Sequence, residues 1–273
     1  MTDKPIPAAE ELAAASFSRQ APLFDALYGK DTIIAYKRSR VRAHAERFLT
    51  AGAMILELNA GTGEDALYFA SRGFRVHATD IAAGMQEVLG NKVARHPAGA
   101  LVSFEQCSFT ELENLQQPGP YDMIFSNFAG LNCTARLDKV LDSFSYLLKP
   151  GGFATLVILP RFCLWEFLLL FKGKFRTAFR RFTGRKGVRA HIEGTYFRCF
   201  YYNPSFIRRH LQENFRVVGL EGLCTVVPPS YIEHFAEKHP RLYHSLVQKE
   251  NKWKSRWPWK VIGDYYIITV QKK

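Results

Sequence analysis

Cysteine is scarce in this 273-residue chain, and none of it is grouped. Cys107, Cys133, Cys163, Cys199 and Cys224 lie far apart, with no C-x-x-C pair and no histidine cluster. Reduced, mostly buried thiols are expected, and no metal site. Long apolar runs are missing too. The longest, residues 162–171, is interrupted by Glu166 and reaches about half of the roughly 20 residues that a membrane-spanning helix needs. Residues 1–11 are polar and contain proline, without the basic stretch or apolar core of a secretory signal, so a cytoplasmic location is expected. The chain has no internal repeat and no low-complexity tract.

What is present is 47% hydrophobic residues at a net charge of +12, enough apolar material for one large domain with a sizeable core. The charge is unevenly placed. Residues 1–150 hold 15 Lys and Arg against 17 Asp and Glu, whereas residues 151–273 hold 22 against 8. All the excess positive charge belongs to the second half, which implies either an acidic partner there or a solvated basic face.

The first half alternates short apolar strands with helical patterns, the signature of βαβ units and a parallel sheet. Strands are expected at 53–58, 75–79, 101–106, 121–127 and 153–159, with further strands at 215–227 and 264–270. Residues 138–148 place Leu141, Phe144, Leu147 and Leu148 at helical spacing, and Lys149-Pro150-Gly151-Gly152 reads as a helix stop and turn. Asn203-Pro204 reads as an N-cap followed by a first-turn proline. Residues 160–200 show no clear alternation.

Ligand chemistry should sit where strand one ends in Glu57 and turns through Asn59-Ala60-Gly61-Thr62-Gly63 into a helix. In an open parallel sheet that edge presents backbone N–H groups and carboxylates to a ligand. Gly61 to Ala66 also fits G-x-G-x-x-A, which admits a dinucleotide. Against it, Glu57 would repel a pyrophosphate and suit an ammonium group, and Glu64 and Asp65 crowd negative charge where phosphates would rest.

At these residues the sequence resembles the class I S-adenosylmethionine-dependent methyltransferases, within them the small-molecule group that includes the ubiquinone/menaquinone biosynthesis enzymes. Glu57-x-Asn59-x-Gly61-x-Gly63 is similar to the family's E/D-x-G-x-G-x-G loop. His77-Ala78-Thr79-Asp80-Ile81 resembles its second strand, and Leu147-Leu148-Lys149-Pro150-Gly151-Gly152 its L-K-P-G-G turn. The last is the most discriminating, having no counterpart in a dinucleotide fingerprint. The resemblance covers residues 15–160 well.

It implies an α/β, Rossmann-like, seven-stranded, mostly parallel sheet with helices on both faces and the last strand antiparallel. Inserts would follow strand five and separate strands six and seven. Residues 1–50 would cap the pocket, 51–160 form the cofactor-binding core, and 161–273 supply the acceptor lid and the closing strands. The implied cofactor is S-adenosyl-L-methionine, with S-adenosyl-L-homocysteine as product. Glu57, Asn59, Ala60, Gly61 and Gly63 would surround its methionine part, and Asp80 would take both ribose hydroxyls. Ile81 and Met85 would pack on adenine, Ser108 and Phe109 would stand at its amine, and Asn127 would face the reacting centre. Two departures stand out: Asn59 for the first glycine, and Ser108 for the usual Asp. Residues 17–25 resemble the F-x-x-x-A-x-x-[YF]-D segment that closes such pockets, making Phe24, Tyr28 and Tyr36 lining candidates.

Strand four ends Phe125-Ser126-Asn127-Phe128, without the [DNS]-P-P-[YF] sequence of many nucleic-acid amino-methyltransferases, so O- or C-methylation is favoured. The apolar stretch 160–171 precedes eight Lys and Arg, with no acid, between Lys172 and Arg189. It could grip an amphipathic or anionic acceptor, make peripheral membrane contact through 161–189, or pack as core with a solvated basic turn. His191 and Tyr201 are the candidate catalytic residues, His191 as base because its ordinary pKa lies near neutrality. The leading reading is methyl transfer to a small hydrophobic or anionic acceptor. An RNA methyltransferase, a non-catalytic lipid-associated module and a dinucleotide oxidoreductase are the alternatives.

Overall fold

The protein is described by a computed structural model covering residues 9–182, 187–192 and 194–273. Two helices come first, α1 (Ala9–Tyr28) and α2 (Thr32–Glu46). Then follow β1 (Met54–Leu58), α3 (Glu64–Ser71), β2 (Arg75–Asp80), α4 (Ala83–Arg95), β3 (Val102–Gln106), β4 (Tyr121–Ser126), α5 (Leu137–Leu147) and β5 (Leu148–Ile158). The remainder is α6 (Leu164–Leu168), α7 (Phe175–Phe179), β6 (Val188–Ile192), β7 (Thr195–Cys199), α8 (Pro204–Leu211), β8 (Phe215–Leu223), α9 (Phe235–Lys238), α10 (Pro240–Trp253) and β9 (Tyr265–Lys272).

Seven strands form one sheet in the order β3-β2-β1-β4-β5-β9-β8. β1 to β5 run parallel, and β9 is antiparallel to both of its neighbours. This is the expected seven-stranded, Rossmann-like arrangement. The central strands are apolar on both faces because both are covered. α5, α8 and β4 bury Leu141, Phe144, Ile207 and Ile124 on one side. α2 and α3 bury Val41, Ala66 and Phe69 on the other.

Four details depart from the sequence reading. β5 begins at Leu148, so Pro150-Gly151-Gly152 lies inside the strand as an irregularity between the Tyr121↔Leu148 and Met123↔Phe153 pairs. β8 stops at Leu223 rather than 227, because the N–H groups of residues 224–227 turn to the Glu250 carboxylate instead of a neighbouring strand. Asn203 precedes α8 but does not cap it; its Oδ1 accepts from the Arg161 N–H at 3.0 Å. The unpatterned segment holds a separate two-stranded sheet, β6 with β7.

That hairpin packs on α1, which also lies along α4, so the first helix is held over the carboxyl edge of the parallel strands. Asn132 fastens the opposite side. It is fully buried, accepts from the Leu159 N–H at 3.0 Å and accepts through its own carbonyl from the Phe200 N–H at 2.7 Å. No helix among the described residues is long and apolar enough to cross a membrane.

Candidate active site

At the carboxyl edge of β1, β2 and β4 lies a cavity of about 360 Å³. Its floor is the β1–α3 loop. Asn59 takes a left-handed conformation (φ 50°) and holds it with its side chain, which no glycine could do. Its Oδ1 accepts from the Ser126 hydroxyl at 2.6 Å, and its Nδ2 donates to the Asn127 carbonyl at 2.9 Å. The substitution of Asn for the first glycine therefore stitches the loop to β4. Gly63 (φ +80°) does not line the cavity; a Cβ there would stand 2.1 Å from Cδ1 of Leu89, so it serves the packing of α4.

Asp80 ends β2 beneath this loop. Oδ2 accepts from the Gly61 N–H at 2.9 Å and Oδ1 from the Ala82 N–H at 2.8 Å, which fixes the carboxylate plane. Burial raises its pKa, against these two amides, which lower it. Each oxygen keeps a lone pair for a further donor, and two adjacent hydroxyls supply that geometry.

Glu57 lines the wall at 2% exposure, and its Oε2 makes no hydrogen bond among the described residues. Burial, then the neighbouring Asp65 carboxylate, pushes its pKa well above the usual range, against Arg42 and Arg38. Asp65 accepts from Arg42 Nε at 2.6 Å and from Asn127 Nδ2 at 2.8 Å. Arg38, on α2, reaches Glu64 at 3.4 Å. Its buried Nε has no hydrogen-bond partner and stays 3.8 Å from Asp65 Oδ1. One wall thus holds a buried acid and a buried guanidinium N–H, each with unused hydrogen-bonding capacity.

Among the residues expected at the site, Glu57, Asn59, Ala60, Gly61, Asp80, Ile81, Met85, Phe109, Asn127, Phe24 and Tyr28 all line the cavity. Ser108 does not: its hydroxyl is shared with Thr110 at 2.8 Å, and Thr110 donates to Glu10 of α1 at 2.7 Å. Glu10 does line it. Tyr36 points away, donating to Glu250 at 3.1 Å. Tyr201, a candidate catalytic residue, is 5% exposed beneath the Arg181 guanidinium, 5.2 Å from its ring, and is not among the lining residues. His191 lies on β6 opposite Tyr196, and its side chain is outside the described residues.

Sequence reasoning missed Lys37, Arg38, Phe128, Ser230 and Tyr265, which also line the cavity. The available signal was in α2, where Ile33, Lys37, Arg40, Val41 and His44 share one buried face. Cations at positions that helical spacing assigns to the core imply a polar interior destination. Glu166, noted only as an interruption, proves to be the counter-ion of Arg180 and Arg181; its carboxylate accepts from Arg180 Nε at 2.8 Å and from Arg181 Nε at 2.9 Å. Arg181 also donates to Asp264 Oδ1 at 2.7 Å, so part of the basic run is internal. Cys163, Glu166 and Asp264 lie close enough to chelate a cation, but Arg180 and Arg181 already pair with the two carboxylates.

A sheet of this order with an acid-lined first loop and an acid ending β2 defines a class I S-adenosylmethionine-dependent methyltransferase fold. Residues 55–152 match the family model described as a methyltransferase domain, and the fold is shared with solved S-adenosylmethionine-dependent methyltransferases. Among solved structures it is similar to 1,6-didemethyltoxoflavin-N1-methyltransferase from Burkholderia thailandensis, determined with 1,6-didemethyltoxoflavin and S-adenosylhomocysteine. The identity is 16%, over 100% of this chain and 93% of that one, with a TM-score of 0.55. Phosphoethanolamine N-methyltransferase 2 from Haemonchus contortus, in complex with S-adenosyl-L-methionine, is 16% identical over 99% of this chain and 61% of that one (TM-score 0.61). Geranyl diphosphate C-methyltransferase from Streptomyces coelicolor is 12% identical over 87% and 79% (TM-score 0.56). No curated protein matches the sequence significantly.

Proposed function

We propose that the cavity binds S-adenosyl-L-methionine along Glu57, Asp80 and Phe109 and presents its methyl group to a small hydrophobic or anionic acceptor. The observation that carries this reading is the pairing of Glu57 Oε2 and Arg38 Nε, both buried and both without a hydrogen-bond partner, in one wall. Burying unsatisfied charged groups is costly, and a zwitterionic amino-acid end, ammonium to Glu57 and carboxylate to Arg38, would satisfy both. Asp80 would take the ribose hydroxyls, with Ile81 and Met85 against adenine. Bound there, the donor supplies an electrophilic sulfonium methyl. The chain supplies alignment, with Asn127 and Phe128 bordering the approach. His191 is the proposed base for acceptors that must lose a proton. O- or C-methylation is favoured by the Asn127-Phe128 ending of β4. An RNA acceptor finds no support in the neighbours named above.

Titration with S-adenosylhomocysteine tests the reading. Binding in the micromolar range with a raised melting temperature is expected; the absence of both would overturn it.

A specific observation also favours a membrane contact. Phe171, Phe175, Phe179 and Phe182 are exposed beside exposed Lys172, Lys174 and Arg176, with Phe171 at 85%. Aromatics among cations suit an anionic lipid surface. Co-sedimentation with phosphatidylserine vesicles, lost with F171S/F175S and absent with phosphatidylcholine alone, is the expected result.

A further inference from the structure

The cavity has a second end. Lys37 is 3% exposed, yet it lines the cavity, and among the described residues it forms no ion pair. Its ammonium donates to the Ser230 hydroxyl at 3.0 Å and lies 5.0 Å from the Tyr265 ring centroid and 6.0 Å from that of Phe128. The carboxylates that surround it at longer range are committed elsewhere. Asp31 caps α2, accepting from the Ile34 N–H at 2.8 Å, and Asp264 is held by Arg181 at 2.7 Å. Burial lowers the Lys37 pKa, Tyr265, Cys224, Asp264 and Asp31 raise it, and the net shift is upward. Two of its three donor hydrogens are left to serve the cavity.

The topology separates this end from the donor's. Tyr265 opens β9, beyond the carboxyl end of β5, where Ile158 pairs with Tyr266. β9 lies three strands from β1 in the sheet, about 14 Å at the usual strand spacing. Phe128 stands between the two groups of contacts, with the Arg38 guanidinium 5.1 Å and the Lys37 ammonium 6.0 Å from its ring centroid, while Lys37 alone reaches Ser230 and Tyr265. The lining also includes apolar and aromatic side chains, among them Phe24, Tyr28, Ile34 and Phe128.

Resting on the methyltransferase reading above, we propose that Lys37, oriented by Ser230, anchors the acceptor through an anionic group, a carboxylate or a phosphate ester, while its apolar body lies against Phe128 and Tyr265. The acceptor is thus an amphipathic anion. Lys37 acts in binding and specificity, and takes no proton in the reaction.

The test uses the full chain saturated with S-adenosylhomocysteine, titrated with benzoate, phenyl phosphate and their neutral counterparts benzamide and phenol. At least one anion should bind about tenfold or more tighter than its neutral counterpart, the effect of one charge-assisted hydrogen bond; which anion prefers the site separates the two chemistries. Lys37→Gln should abolish the preference and Lys37→Arg restore most of it, with S-adenosylhomocysteine affinity unchanged in both. Equal binding of anions and neutral compounds, or no binding of any, would overturn the proposal. So would a loss of S-adenosylhomocysteine affinity in Lys37→Gln, which would give Lys37 to the donor's own carboxylate. If the wild-type chain fails to bind S-adenosylhomocysteine, the methyltransferase reading falls, and the anion preference measured on the protein alone still decides the role of Lys37.

Discussion

A Cβ built on Gly130 would stand 2.3 Å from Cγ of Asn59. The residue that departs from the glycine pattern of the first loop thus needs a glycine 71 positions later to make room for its side chain. The two positions form one device: Asn59 ties the loop to Ser126 and Asn127, and Gly130 lets it lie there.

This relationship has a measurable sign. Gly130→Ala should cost about 1–3 kcal/mol, as overpacking does. Asn59→Gly should remove the clash, so the double variant should be more stable than the sum of the single effects allows. Urea denaturation of the four proteins measures the coupling; simple additivity would show that the two side chains do not compete for the same space.

Glu57 makes stability and binding depend on pH in opposite directions. Its pKa is raised in the folded protein, by burial and then by Asp65. The favourable contribution is therefore fully present below the ordinary carboxylate pKa of about 4.3 and is lost as pH rises through the raised folded value. Without ligand, the melting temperature should fall as pH rises from the ordinary carboxylate value through the raised folded one, and Glu57→Gln should flatten that slope. S-adenosylhomocysteine needs the carboxylate, so its affinity should rise over the same window with release of a proton. Calorimetry in two buffers of different ionisation enthalpy reads that proton directly.

The parts of the site legible in the sequence are those that local chain geometry dictates. Glu57, Gly61 and Asp80 sit at strand ends, where an alternating βαβ pattern places them on one edge without knowledge of any contact. The seven-stranded sheet followed from the same pattern, and its last strand from the resemblance. Lys37 and Arg38 were not legible, because their meaning depends on which surface α2 covers. Glu250 and Ser230 were hidden for the same reason: each matters through partners brought together only by the return of the chain after β8. Tyr201 was misplaced because the segment before it folds back as a hairpin and buries it under Arg181.

Asp80 and Arg38 should separate the two halves of the donor. Asp80→Ala should weaken S-adenosylhomocysteine and 5′-methylthioadenosine alike by about 1.5–3 kcal/mol, the loss of hydrogen bonds to a charged group. Arg38→Ala should weaken S-adenosylhomocysteine by about tenfold or more and leave 5′-methylthioadenosine, which lacks the amino-acid carboxylate, unchanged. Equal losses for both ligands in Arg38→Ala would place Arg38 elsewhere than at the carboxylate.

Glu250 should prove the most costly residue to alter outside the cavity. Its carboxylate is fully buried and accepts from the N–H groups of Cys224, Thr225, Val226 and Val227 at 2.8–3.0 Å, and from the Tyr36 hydroxyl. Even the isosteric Glu250→Gln places an NH2 group against backbone donors, leaving at least one of them unpaired at about 1–3 kcal/mol. Glu250→Ala abandons them all and should cost about 3–5 kcal/mol. For a chain of this size the first change lowers the melting temperature by several degrees and the second by roughly 10 °C or more. Because residues 224–230 carry Ser230 toward Lys37, the same variants should expose this segment to limited proteolysis before the parallel core is cut; simultaneous cleavage of both would show that Glu250 does not brace it locally.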